Sequence, residues 1–320
     1  MKKKLFLVIL GILLIIYVSI LKFQGFNLQT LSSANLFYVL LALITLIVIL
    51  GLRSLKYWML LNRLKINPGK DTYLITNFGY FSNFISPIRI SEVVRSLVIK
   101  KVTGNSFFKI LAPTVFDSLT DVITIVFVIL VLSTFVVLNF DYSSKILLIL
   151  LFAAVAVTSI YLISTRKGEQ FSIKILNYVA KRVLKKDVSR TSKEFVHASR
   201  VILGSRRLLF TVFLVECFVW VLEGLKIYWF GLAAGLNLGL PTSMLIVAVS
   251  YLIGGAFVNP SGLTQETILL LILTQLPFEK ASLTLVGSMD AIISVGFVIA
   301  AGLIFTLKFG IKNLRLERLK

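Results

Sequence analysis

Long apolar runs alternate with short basic stretches along this chain, and two further stretches break the pattern. Leu5–Leu21, Leu36–Leu55, Leu111–Leu138, Lys145–Ser164, Leu208–Phe230 and Ser282–Leu307 are each continuous enough to read as membrane-spanning helices, since about 20 apolar residues cross a bilayer. Asp71–Lys109 and Pro241–Leu276 are too polar and too often interrupted for plain spans. The first contains Pro87, and the second contains Gly254-Gly255 and Asn259-Pro260-Ser261-Gly262. Each reads as a helical hairpin that enters and leaves the membrane on one side. Irregular backbone is tolerated at that depth only when it is buried in protein or lines a wet cavity. The pattern therefore predicts an all-α polytopic membrane protein with about six transmembrane helices and two re-entrant hairpins. We expect it to form one integral membrane domain over residues 1–320.

Charge orients this layout. The chain carries a net charge of +20, and the cations crowd into segments beside the apolar runs. That distribution matches the excess of Lys and Arg on the cytoplasmic side and argues against nucleic acid as a partner. MKKK precedes the first run, Arg53, Lys56, Arg63, Lys65 and Lys70 follow the second, and Lys308–Lys320 is basic. Both termini are thus expected in the cytosol of a cell with its cytoplasmic membrane as the site. No small-x-small cleavage pattern follows the first run, so it is expected to remain as a span. Residues 166–207 are rich in Lys and Arg and read as one or two amphipathic helices on the cytosolic surface. His197 falls there and is expected to be solvated. With one His and one Cys (Cys217), we expect no metal, no disulfide and no cofactor.

The order of elements suggests an inverted repeat, residues 1–140 matching 145–308. Leu52-Arg-Ser-Leu-Lys-Tyr-Trp58 resembles Leu222-Glu-Gly-Leu-Lys-Ile-Tyr-Trp229, and Asp121 is matched to Asp290. Transporters commonly build a midplane site from such repeats and broken helices.

Ionisable residues inside the apolar segments are the candidate chemistry, because each is expensive to place there. They are Arg89, Glu92, Arg95, Asp117, Asp121, Glu216, Glu223, Lys226, Glu266 and Asp290. Glu92 and Arg95 lie three apart, as do Glu223 and Lys226, so each pair can meet on one helix face. Glu216 and Glu223, seven apart, share a face. Arg89 and Arg95 present planar donor forks suited to phosphate. A helix starting near Ile88, after Pro87, would add its free N–H groups. Asn259 and Glu266 offer a second helix start. We therefore assign headgroup binding to Arg89, Arg95, Asn259 and Glu266. Ion pairing or coupling goes to Glu92, Asp117, Asp121, Glu216, Glu223, Lys226 and Asp290. Helix breaks fall to Pro87, Gly254, Gly255, Pro260 and Gly262.

Pro87-Ile-Arg-Ile-Ser-Glu-Val-Val-Arg95 resembles the Pro-x-Arg-x-Gly-Glu-x-x-Arg segment of the lysylphosphatidylglycerol synthase transmembrane-region family, also called flippase-like, with Ser91 in place of glycine. Asp117-Ser-Leu-Thr-Asp121 keeps the acids of that family's Glu-Arg-x-x-Asp and loses its arginine. Asn259-Pro-Ser-Gly-Leu-Thr-Gln-Glu266 is a shortened form of its glycine-rich late motif. The resemblance covers essentially the whole chain. It implies movement of lipids between leaflets: an anionic or aminoacylated phospholipid, or a lipid-linked glycan. The synthase proteins add a soluble aminoacyl-transfer domain, which this chain lacks, so we do not expect an enzyme. Two alternatives stay open. One is a membrane-embedded enzyme using Asp117 and Asp121, or Glu216 and Glu223, as acid/base pairs. The other is a non-catalytic subunit that partners a lipid or glycan synthase, including a glycosyltransferase. Oligomerisation is open too.

Overall fold

The computed structural model describes residues 34–85, 90–135, 189–256, 263–273 and 276–309. Among them every regular element is a helix: α1 (Leu36–Arg63), α2 (Asp71–Ile85), α3 (Ser91–Thr103), α4 (Phe107–Phe135), α5 (Ser189–Leu203), α6 (Arg206–Ala233), α7 (Leu240–Ala256), α8 (Leu263–Leu273) and α9 (Lys280–Phe309). Four of them, α1, α4, α6 and α9, are long and apolar enough to cross a membrane. At 1.5 Å per residue, the 28 residues of α1 reach further than the about 30 Å of hydrocarbon in a bilayer.

These helices turn apolar side chains outward. On α1 the exposed residues include Leu36, Phe37, Leu40, Ile44, Ile47 and Val48, and on α6 Phe210, Leu214, Phe218 and Val221. The three- and four-residue steps make one stripe on each helix. Lys56, Asp117, Glu216, Glu223, Lys226 and Asp290 are meanwhile buried. Apolar stripes outside and charges inside suit a lipid solvent, and the chain is a multi-pass membrane protein. The expected spans Leu5–Leu21 and Lys145–Ser164 lie outside the described residues.

Both polar stretches fold as pairs of short helices: α2 with α3, and α7 with α8. Two details differ from expectation. Gly254 and Gly255 do not break the helix, because α7 runs through both and ends at Ala256. Away from water a helix keeps its internal hydrogen bonds, since nothing else satisfies the freed groups. The helix after Pro87 begins at Ser91, later than Ile88. Asn83, near the end of α2, explains the start: its Oδ1 accepts from the N–H groups of Ile90 at 2.9 Å and Ser91 at 2.8 Å. That is a helix cap supplied from the preceding helix.

The described chain divides into two compact units that share α1 and α6. One holds α1 up to Leu52, α2 from Tyr73, α6 from Val219, and α7, α8 and α9. The other holds Arg53–Thr72, α3 from Glu92, α4, α5, and α6 up to Phe218.

In the first unit, the N–H of Asn35 donates to the carbonyl of Ala233 at 2.9 Å. One turn further in, Tyr38 stacks on Trp229 with centroids 5.9 Å apart. The start of α1 thus lies against the end of α6. Phe78 stacks on Phe305 at 4.0 Å, and the Phe81 ring fills the space left by the missing side chain of Gly302. Gly224 is equally constrained: a Cβ there would stand 2.7 Å from the Cα of Met244. Because that neighbour is backbone, α6 and α7 would have to separate. Gly224→Ala is expected to destabilise the protein by about 1–3 kcal/mol, the cost of overpacking, measured by thermal unfolding in detergent.

In the second unit, α5 packs on α4. Val196, Ala198 and Ile202 face inward, while Lys193, Glu194, His197 and Arg200 are exposed. This is the amphipathic helix expected within residues 166–207, and His197 is solvated as expected. Residues 166–188 lie outside the described part.

The two polar pairs and their flanking helices run in matching order and length. Helices of 28, 15, 13 and 29 residues (α1 to α4) are followed later by helices of 28, 17, 11 and 30 (α6 to α9). The ends of α1 and α6 also match. Lys65 and Gly235 both take positive φ, 58° and 76°. The next N–H donates back to Leu61 in one case and Gly231 in the other, at 3.1 and 2.8 Å. Glycine is the usual residue at such a left-handed cap.

Candidate functional site: two buried lysine-centred clusters

Lys56 sits in α1, two turns before its end. Sequence pattern placed it among the cytosolic cations beyond the span. The helix instead continues to Arg63, so Lys56 is carried inside, with 1% of its surface exposed. Its ammonium meets three carboxylates of the second unit: Asp117 at 3.1 Å, Glu216 at 2.6 Å, and Asp121. It also approaches the Asp117 carbonyl at 3.4 Å. Asp117 is held from the other side by Arg95, whose Nη1 lies 2.6 Å from Oδ2. The Arg95 guanidinium stands 4.7 Å over the ring of Tyr57, a cation–π contact. Tyr57 bonds to Thr114 at 2.7 Å, and Thr114 to Ser96 at 3.2 Å. Nearby, Ser118 donates to Glu92 at 2.8 Å.

α1, α3, α4 and α6 each contribute to this cluster. On α4, Asp117 and Asp121 are four apart and so project from one face. Arg95, whose spacing sets it on one face with Glu92, reaches to Asp117 on the neighbouring helix. It is 3% exposed.

A second cluster lies in the first unit. Lys226 meets Glu223, three residues earlier, at 3.0 Å, as the spacing predicted. It meets Asp290 of α9 at 2.8 Å. Ser294 donates to Asp290 at 3.1 Å and lies 3.3 Å from the Lys226 ammonium. Tyr251 of α7 donates to Glu223 at 3.4 Å. Glu216 and Glu223, grouped on one face by their spacing, therefore serve different lysines.

The clusters share a plan. Lys56 and Lys226 are each the twenty-first residue of their helix. Asp117 and Asp290 are each the eleventh residue of theirs, and Asp121 and Ser294 each the fifteenth. Counted along their helices, Asp290 thus falls level with Asp117 and Ser294 with Asp121, whereas the sequence match set Asp290 against Asp121. The two alignments differ by one helical turn, which preserves the face. Lys56 and Tyr57 are the functional candidates that sequence reasoning passed over. The signal for Lys56 was present in the shared Leu-x-x-Leu-Lys motif.

Charges this deep are held only because they are paired and bonded. Pro87, Arg89, Asn259, Pro260 and Gly262 lie outside the described residues, and Glu266 lies near the start of α8. Asn83 occupies the N–H groups of Ile90 and Ser91, which the sequence had offered to an anion. Among the described residues no three His, Cys, Asp or Glu side chains are grouped so as to hold a metal ion.

Neither the curated proteins nor the solved structures offered a match to the chain. The model of one family does match, over residues 5–302, and that family is described as the lysylphosphatidylglycerol synthase TM region. This range takes in both lysine-centred clusters and both pairs of short helices. The chain therefore belongs to the lysylphosphatidylglycerol synthase TM region family.

Proposed function

We propose that this protein moves an anionic or aminoacylated phospholipid, or a lipid-linked glycan, between the leaflets of the cytoplasmic membrane. The observation that carries this reading is the pair of buried Lys–Asp clusters, built at equivalent helix positions in two units of one membrane chain. A purely structural span has no use for so many buried charges, whereas a polar path for a headgroup does. Matching helix order and lengths support an inverted repeat of three spans and one re-entrant hairpin each, the architecture through which many transporters alternate access. Membership of a lipid-related family supports the substrate class. In this reading Arg89 and Arg95 serve the phosphate and the ion-paired acids serve a cationic part of the headgroup. The protein is not an enzyme, both termini are cytosolic, and its partners are anionic lipids and a lipid or glycan synthase.

The test is reconstitution in liposomes with fluorescent anionic, zwitterionic and lysylated phospholipids. Wild-type protein should move them at rates that depend on the headgroup. Arg89→Ala should slow movement by about tenfold or more, the scale of one lost charge-assisted contact. Folded wild-type protein that moves none of these lipids, nor a lipid-linked glycan, would overturn the reading.

A further inference from the structure

We propose that the turn joining α5 to α6 is a binding site for one anionic phospholipid, its phosphate held by Arg63, Arg206 and Arg207 and its chains laid along α6. All the residues concerned belong to the second unit. α1 and α6 meet where Lys56 binds Glu216 at 2.6 Å, seven residues before the end of α1 and ten after the start of α6. The two helices run in opposite directions, so these ends emerge together. A hydrogen bond fixes the meeting: Nε of Arg63 donates to the carbonyl of Val201, in the last turn of α5, at 3.4 Å. That bond uses one of the five N–H donors of a guanidinium, and Arg63 is exposed. Between α5 and α6 the chain turns within two residues. The N–H of Gly204 donates to Arg200 at 2.8 Å and that of Ser205 to Ile202 at 3.1 Å. Arg200, Arg206 and Arg207, all exposed, therefore lie within six residues of the carbonyl that Arg63 holds.

An excess of cations at one end of membrane helices is general, and lysine serves it as well as arginine. Here the choice is narrower. Lysine outnumbers arginine in the chain, yet every cation from residue 195 to 225 is arginine, and residues 195–215 contain no acid. Arginine presents a planar fork matched to phosphate oxygens. The N–H groups in the first turn of α6 add positive potential at the same place. Apolar surface then decides between a lipid and a soluble anion. Arg206 and Arg207 lie four and three residues before Phe210, which opens the exposed stripe Phe210, Leu214 and Phe218. Cations and stripe therefore share one face, and at 1.5 Å per residue the stripe runs about 12 Å along the bilayer normal. A molecule that joins a phosphate to apolar chains satisfies both halves of this face, whereas an acidic protein or free phosphate meets only the first. The site rests on the membrane setting and not on lipid movement, so it stands or falls apart from the transport reading.

Native mass spectrometry of the purified full chain in detergent tests the site, with phosphatidylglycerol, phosphatidylcholine and chain-free glycerophosphoglycerol as probes. Wild-type protein should bind phosphatidylglycerol more tightly than phosphatidylcholine, and glycerophosphoglycerol at the same concentration should not compete. Each arginine removed should weaken phosphatidylglycerol binding by about fivefold, the scale of one cation at an anionic lipid surface. The variants are Arg206→Gln with Arg207→Gln, and the same pair with Arg63→Gln. Because Arg63 also bonds to α5, the pair alone decides if the triple variant fails to fold. Lys65→Gln, Lys70→Gln and Lys193→Gln together remove three exposed charges from the same unit and should leave the binding unchanged. Arg89→Ala should leave it unchanged too, which separates this site from the transport path. A wild-type protein with no preference for phosphatidylglycerol overturns the site. So does a lysine variant that loses as much as the arginine variants, since the turn is then only part of a diffuse positive field. Loss in Arg89→Ala with the arginine pair unchanged places the lipid elsewhere and also overturns it. Competition by glycerophosphoglycerol overturns the lipid as occupant in favour of a soluble anion.

Discussion

Lys56→Met is expected to destabilise the protein by about 3–5 kcal/mol, the usual result of removing one partner from a buried ion pair. Methionine keeps most of the volume and the unbranched stem, so packing changes little. What changes is charge: Asp117, Asp121 and Glu216 lose their shared ammonium, and among the described residues Arg95 is the cation left in direct contact, on Asp117. The loss should appear in denaturant unfolding in micelles followed by helical circular dichroism. Because Asp117 keeps Arg95, adding Glu216→Gln to Lys56→Met should restore more stability than adding Asp117→Asn. A loss below about 1 kcal/mol, the range of exposed ion pairs, would mean that water reaches the cluster and that its burial is not what holds it. Lipid movement should fall with Lys56→Met even at temperatures where the variant stays folded, since the proposed path runs through these groups.

Lys226→Met is the second large effect, again about 3–5 kcal/mol, with a different route to rescue. Glu223 and Asp290 lose the ammonium they share, but each already has a hydroxyl donor, from Tyr251 and Ser294. Amides at both positions can use those donors without any charge. The triple replacement Lys226→Met, Glu223→Gln, Asp290→Asn should therefore regain more than half of the lost stability, since replacing a whole buried ionic group by neutral partners is often close to neutral. Near-complete recovery together with lost lipid movement would show that this cluster is kept for function rather than for stability. If the triple variant is as unstable as the single one, the lysine acts through its packed methylene stem.

Much of this was legible beforehand. The membrane class, the long helices and the two interrupted pairs follow from runs of apolar residues and the polar breaks between them. Glu223 and Lys226 pair as their spacing predicted because both lie on one helix, where periodicity fixes neighbours. The likeness of the Lys56 and Lys226 helices was visible in Leu-x-x-Leu-Lys, but the level of the acids on the helices that meet them was not. Asp121 and Asp117 are one turn apart on the same face, so either could be matched to Asp290 by pattern alone. The break expected at Gly254-Gly255 did not form, because away from water a helix that runs through both glycines keeps its internal hydrogen bonds.

The sequence by itself determined that charges lie deep in apolar helices and that each must be paired. Only the tertiary structure decided which charges meet. Lys56 joins Glu216 from 160 residues away and Asp121 from 65, while Arg95 reaches Asp117 on another helix, 22 residues on. Periodicity records the face of a helix that a side chain occupies. The partner on that face depends on which other helix packs there and at what height. Those are set by the close fit of whole helices, as at Gly224 against Met244 and Gly302 against Phe81, and no local pattern encodes them.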